Sequence, residues 1–247
     1  MKISATQINK YRRCQRLYAF EYVEGHKPPP SKKQEFGSAV HKQLEEWLRL
    51  GRAPDDSPEG RVAKQGIKNG WLPTPRSGVL VEHEFSFSWF PDVEMIGFID
   101  CVEPDDEEPL VIDHKTTSDL RWAMRVDDLR KDPQALLYAV WAAKHYHAPV
   151  VRARWLYYAA SNPKTGPRKP AGARPVEVKF DCRQKDFIDE VKTLNDDIAA
   201  IARIRKRKTP ALDLPASPAA CEMYGGCFHR DERCRLTGPE KLAAYLR

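Results

Sequence analysis

Apolar and polar positions change period several times along the chain, and each change marks an element. Ile8, Tyr11, Cys14 and Tyr18 recur at helical spacing behind Ser4-Ala5-Thr6-Gln7, which has the form of a capping box. They predict one N-terminal helix with Cys14 on its buried face, ended by Pro28-Pro29-Pro30. A second helix is expected over 33–50, with Phe36, Val40, Leu44, Trp47 and Leu48 as its apolar stripe and Gly37 and His41 one turn apart. Residues 51–78 are rich in Pro, Gly and Asp and read as loop with room for one short helix. From Val79 the period falls to two. Val79, Val81, Phe85, Phe87 and Trp89 alternate with Glu82, Glu84, Ser86 and Ser88, the pattern of a half-buried strand. Strands at 94–103 and 109–116 follow after turns too short for a crossover, so the three form an antiparallel meander. A helix over 133–147 opens with Pro133 and puts Gln134 and Tyr138 on one face. Strands at 150–160 and 175–180 flank a basic loop at 161–174. Phe187, Val191, Leu194, Ile198 and Ile201 mark a last amphipathic helix, and 209–219 reads as an extended linker.

On this frame the segment 97–115, GFIDCVEPDDEEPLVIDHK, carries the candidate chemistry. Asp100 ends one strand, and Asp113 and Lys115 stand two apart on the next, projecting to one face. Two carboxylates suit a hard cation such as Mg²⁺, and a lysine beside them can orient water or neutralise charge on a phosphate. D-x-K triplets also arise by chance, and charged residues near strand ends are mostly solvated, so the segment alone leaves both readings open.

Charge and cysteine usage narrow the choice. The formal net charge is +6, with basic clusters at 164–174 (KTGPRKPAGAR) and 203–208 (RIRKRK). These permit a polyanionic partner; the alternative is a solvated loop and helix end. No run of eighteen apolar residues exists and the N-terminus lacks an apolar signal core, so no membrane association is expected and the chain reads as intracellular and cytoplasmic. Disulfides are then not expected, and clustered cysteines point to metal. Of the six, Cys221, Cys227 and Cys234 crowd the tail and Cys14 lies near the start, while Cys101 and Cys182 read as packing residues.

The order helix, meander, helix, further strands resembles the core of the PD-(D/E)XK nuclease superfamily. GSAVH (Gly37 to His41), GFID (Gly97 to Asp100), DHK (Asp113 to Lys115) and QALLY (Gln134 to Tyr138) resemble, in order, the motifs of its RecB-like branch. The resemblance implies an α/β, restriction-endonuclease-like core: a central mixed sheet with an antiparallel meander, flanked by helices. It implies a single nuclease domain over 1–247, with core 33–208 and segments 1–30 and 209–247 joined as a cysteine clasp. It implies an Mg²⁺- or Mn²⁺-dependent deoxyribonuclease in which His41, Asp100, Asp113 and the backbone carbonyl of His114 hold the cation. Lys115 would orient the attacking water, and Gln134 and Tyr138 would position the phosphate or buttress Lys115; a core role for Tyr138 fits its spacing equally.

Cys14 with Cys221, Cys227 and Cys234 is similar to the four-cysteine set of the iron–sulfur nucleases, the AddB nuclease domain and CRISPR-associated nucleases among them. In those a 4Fe–4S cluster ties the chain ends together. Here the tail spacing, C-x5-C-x6-C, departs from the tighter pair expected, and His229 keeps a Cys₃His zinc site open. The implied substrate is DNA, single-stranded or with free ends, cut as an exonuclease in recombination or repair, CRISPR adaptation or phage DNA processing. Trp122, Trp155, Tyr157 and Tyr158 are either stacking surfaces for it or core. There is no P-loop pattern, so a helicase would be a separate partner. The rival reading is a non-catalytic DNA-binding or recruitment module of a helicase–nuclease complex.

Overall fold

The computed structural model of the protein describes residues 1–75, 78–161, 167–223 and 226–234. In chain order the elements are β1 (Lys2–Ile3), α1 (Ala5–Arg13), α2 (Gln15–Tyr22), α3 (Lys32–Leu50), α4 (Pro58–Lys68), β2 (Leu80–Phe90), β3 (Val93–Glu103), β4 (Leu110–Thr117), α5 (Val126–Leu129), α6 (Pro133–Tyr146), β5 (Val150–Ala160), β6 (Pro170–Asp181) and α7 (Lys185–Arg207). The strands form one sheet in the order β1-β3-β4-β5-β6, with β2 paired to β3. β3 and β4 run antiparallel, β4 and β5 parallel across the α6 crossover, and β5 and β6 antiparallel. This is the mixed α/β, restriction-endonuclease-like arrangement that the family resemblance implies.

The chain divides into two compact units. One comprises Pro30–Phe87 and Ile96–Val191; the other comprises Met1–Pro29, Ser88–Met95 and the chain from Lys192 on. In the first, β4 separates two environments. Ile112 and Leu110 join Phe36, Val40 and Leu44 of α3 and Val62 of α4 in an apolar core. Directly after Ile112 in sequence, Asp113 turns the other way and meets Gln134 of α6. Each fully buried leucine or valine here contributes about 1.5–3 kcal/mol. Local chemistry fixes the helix ends. Ser31 and Gln34 make a reciprocal capping box on α3, and Gly51 ends it at φ 66°. Ser57 caps α4, which opens on Pro58, and Asp132 caps α6, accepting from the backbone N–H of Gln134 and Ala135.

The second unit departs from expectation at its start. Instead of one helix there are two, because Cys14 is extended (φ −166°, ψ 119°). Its N–H closes α1 on the Lys10 carbonyl, and its own carbonyl opens α2 by accepting from Tyr18. Cys14 therefore sits at a junction, not on a buried helix face. The capping box expected at Ser4 is also absent: the Ser4 side chain makes no cap bond, and the Gln7 amide oxygen is buried without a partner. Arg12 pairs with Asp197 at 2.6 Å, and Arg16 donates to the carbonyls of Leu214 and Cys234, each at 3.1 Å.

Two further differences concern β6 and the aromatics. β6 begins at Pro170, so part of the expected basic loop is strand, zipped to β5 from Val150↔Asp181 to Ala160↔Pro170. Residues 162–166 of that loop and 235–247 of the expected clasp lie outside the described residues. Trp155, Tyr157 and Tyr158 are buried and unavailable for stacking, whereas Trp122 is 73% exposed. Among the described residues no helix is long and apolar enough to cross a membrane.

Candidate functional site

The residues singled out at 41, 100, 113, 115, 134 and 138 converge in the Pro30–Val191 unit, carried by α3, β3, β4 and α6. Gly37 sets how close α3 approaches: a Cβ there would lie 2.8 Å from Thr116 Oγ1 on β4. One turn later His41 reaches Asp100, with Nδ1 3.5 Å from Oδ2. Oδ2 also accepts from the backbone N–H of His114 at 2.6 Å, which ties the end of β3 to β4.

Asp113 is 2% exposed. Its Oδ2 pairs with Lys115 Nζ at 2.6 Å, and its Oδ1 accepts from Gln134 Nε2 at 2.7 Å. The other end of the same amide, Oε1, accepts from Lys115 Nζ at 2.8 Å. Gln134 thus bridges the carboxylate and the ammonium. Gln134 Nε2 also donates to the Tyr138 hydroxyl at 2.7 Å, and that hydroxyl donates to the Phe98 carbonyl. Tyr138 is buried, with its ring packed on Phe85 and Trp155, so it fills core and anchors the network at once.

The electrostatics follow from burial and charge density. Burial opposes ionisation of Asp100, yet the hydrogen bond and charge of His41 outweigh it and hold the carboxyl at about 2. Asp113 goes the other way: burial and the nearby Asp100 charge push it up to about 6 against the pull of Lys115. Burial would lower His41 and Lys115, but the facing carboxylates raise both. The His114 imidazole is buried and held neutral, pushed down to about 4, with Nδ1 3.3 Å from the Tyr158 hydroxyl. Two desolvated carboxylates and an imidazole so arranged are a donor set that a divalent cation fits.

Sequence reasoning missed one neighbour. Ligand atoms of His41, Glu82 and Asp100 all lie within 4.8 Å of one another, and the group does not include Asp113. Glu82 sits in β2 with φ 47°. The only trace in the sequence is an acidic residue in an alternating strand, which reads as solvated. Beside His41 lies an open cleft of about 490 Å³ lined by Lys33, Gln34, Ser38, Thr116, Thr117, Ser118 and Arg168.

In the other unit Cys14, Cys221, Cys227 and Cys234 line one small cavity together with His229. Burial and the charges of the other three thiols raise the Cys221 thiol pKa. His229 is fully buried, stacked on Phe20 at 4.9 Å, and neither ring nitrogen has a hydrogen-bond partner. No three ligand atoms of these five residues come within 4.8 Å of one another. Cys101 is buried in the apolar core and Cys182 is partly buried.

No curated protein matches the chain. One solved structure it resembles, titled "Crystal structure of SSO0001", is 14% identical, with 81% of this chain and 76% of that one covered at a TM-score of 0.42. The family profile that matches is the PD-(D/E)XK nuclease superfamily, over residues 2–74 and 60–235. With nearly the whole described chain inside that match, the protein belongs to the PD-(D/E)XK nuclease superfamily.

Proposed function

We propose that this chain is an Mg²⁺- or Mn²⁺-dependent deoxyribonuclease acting on single-stranded DNA or free DNA ends. The observation that carries the reading is the Asp113–Gln134–Lys115 bridge next to the His41–Asp100 pair. His41, Asp100, Asp113 and the His114 carbonyl would hold the cation, which when bound supplies Lewis acidity toward the phosphate and makes water more acidic. Lys115 remains charged and is held at a fixed position by Gln134 and Asp113. Its remaining N–H orients the attacking water or donates to a phosphate oxygen as negative charge develops. Tyr138 and Gln134 position that lysine and do not themselves touch the phosphate. Lys33 and Arg168 in the adjacent cleft supply cations for neighbouring phosphates, so affinity falls with salt. The exposed Trp122 offers a base-stacking surface suited to single strands. A separate helicase would deliver such ends.

The cavity of Cys14, Cys221, Cys227 and Cys234 is read as the seat of a 4Fe–4S cluster that joins the α1–α2 junction to the tail. Ligands on a single zinc ion, at about 2.3 Å from sulfur, crowd to within about 4 Å of one another. Four thiols on one cavity, on chain segments far apart in sequence, support a polynuclear cluster, whose thiolates bond different irons. The test is anaerobic purification, an absorbance scan, and digestion of end-labelled single- and double-stranded DNA with Mn²⁺, Mg²⁺ or EDTA. A brown protein that degrades single strands only with metal is expected. A colourless protein with no metal-dependent cleavage would overturn both assignments.

A further inference from the structure

We infer that Glu82 is a third side-chain ligand to the divalent cation at His41 and Asp100; this rests on the metal-dependent nuclease reading above. Three elements converge there: β2 brings Glu82, α3 brings His41 and β3 brings Asp100, with ligand atoms all within 4.8 Å of one another. Donors bound at about 2.0–2.2 Å to one ion stand about 3–4 Å apart, so little movement closes the set.

The backbone of β2 is bent to make this possible. Val81 packs against the α3–α4 core, while the His83 ring lies tilted against Trp141 of α6 with centroids 5.1 Å apart. Residues two apart on a regular strand share a face. Here they do not, because Glu82 between them adopts φ 47°, a left-handed conformation that a non-glycine residue rarely takes. Such local breaks re-aim side chains beside active sites. The Glu82 carboxylate is half-buried and makes no salt bridge or hydrogen bond among the described residues. Arg49, the guanidinium whose charge reaches Glu82, is occupied by Glu45 and the Val81 carbonyl. A strained residue with an unpaired, half-buried carboxylate beside His41 and Asp100 fits a cation ligand and fits a packing role poorly.

The experiment is Mn²⁺ titration of the metal-stripped site, followed by electron paramagnetic resonance, in the full chain and in Glu82→Gln, Glu82→Gly and His41→Ala. Glu82→Gln keeps the shape and removes the charge. Glu82→Gly removes the side chain while tolerating the positive φ, so it retains the melting temperature of the metal-free protein or raises it. Both are expected to bind Mn²⁺ at least about ten-fold more weakly than the unaltered chain, as His41→Ala does. Unaltered affinity in both Glu82 variants, with loss in His41→Ala, would overturn the Glu82 assignment and leave the nuclease reading intact. Absence of Mn²⁺ binding by the unaltered chain would overturn the nuclease reading and this inference with it.

Discussion

The two ligand-rich regions of this protein are built on opposite principles. Around Asp113 the polar side chains hold one another in a chain: Lys115 and Gln134 fix the carboxylate, Tyr138 fixes Gln134, and the Phe98 carbonyl fixes Tyr138. Around the four cysteines a buried imidazole is left without a partner. The Arg13 guanidinium holds the carbonyls of Ala220 and Met223, and Arg16 those of Leu214 and Cys234, but both His229 nitrogens go unsatisfied. The first region is organised by the protein before anything binds. The second is a small cavity whose buried imidazole the protein itself does not satisfy.

That contrast makes opposite demands of mutation. Asp113→Ala removes a cation ligand and the anchor of Lys115, so cleavage should fall by roughly a thousand-fold or more, the several kcal/mol that metal catalysis supplies. Retained turnover of end-labelled DNA would sink the assignment of this region as the active site. Cys227→Ala should act on stability instead, lowering the melting temperature by about 10 °C with loss of bound iron, because a structural metal contributes its binding energy to folding. An unchanged melting curve and metal content would mean that the thiol cavity is ordinary core. Gln134→Ala sharpens the contrast. It should cost about 10–100-fold in kcat through a mispositioned Lys115, with little change in Mn²⁺ affinity. Equal losses in kcat and metal affinity would show that Gln134 shapes the cation site directly. Gly37→Ala puts a Cβ 2.8 Å from Thr116 Oγ1 and should destabilise by about 1–3 kcal/mol. Adding Thr116→Ala should restore most of that in a chemical denaturation series; no restoration would place the strain elsewhere.

The motifs at Gly37–His41, Asp113–Lys115 and Gln134–Tyr138 were legible because each lies inside one regular element, where spacing fixes direction. What the pattern hid sits where the backbone leaves its period. Ile8 and Tyr18 continue a helical stripe across Cys14 although the chain is extended there, since one residue at φ −166° barely disturbs the apolar count. Glu82 was invisible for the same reason: φ 47° at one strand position changes where a side chain points and leaves no mark in composition. Gly172 and its alanine neighbours looked like loop because small residues carry little strand signal, yet ten register pairs with β5 hold that strand. The capping box was expected at Ser4 and found at Ser31, where Gln34 is exposed and free to fold back; Gln7 is not, because its oxygen is buried.

The Gln134 amide has a direction. Its NH₂ end faces Asp113 Oδ1 and its C=O end faces Lys115, so it completes both contacts only while that one oxygen is an acceptor and the lysine a donor. A proton on Asp113 Oδ1, the oxygen that the amide NH₂ meets, would set hydrogen against hydrogen. Burial pushes Asp113 toward holding a proton; the amide dipole resists it at Oδ1. One neutral side chain thereby tells the two oxygens of the carboxyl group apart, and leaves Oδ2, on the Lys115 side, as the one that can take up a proton.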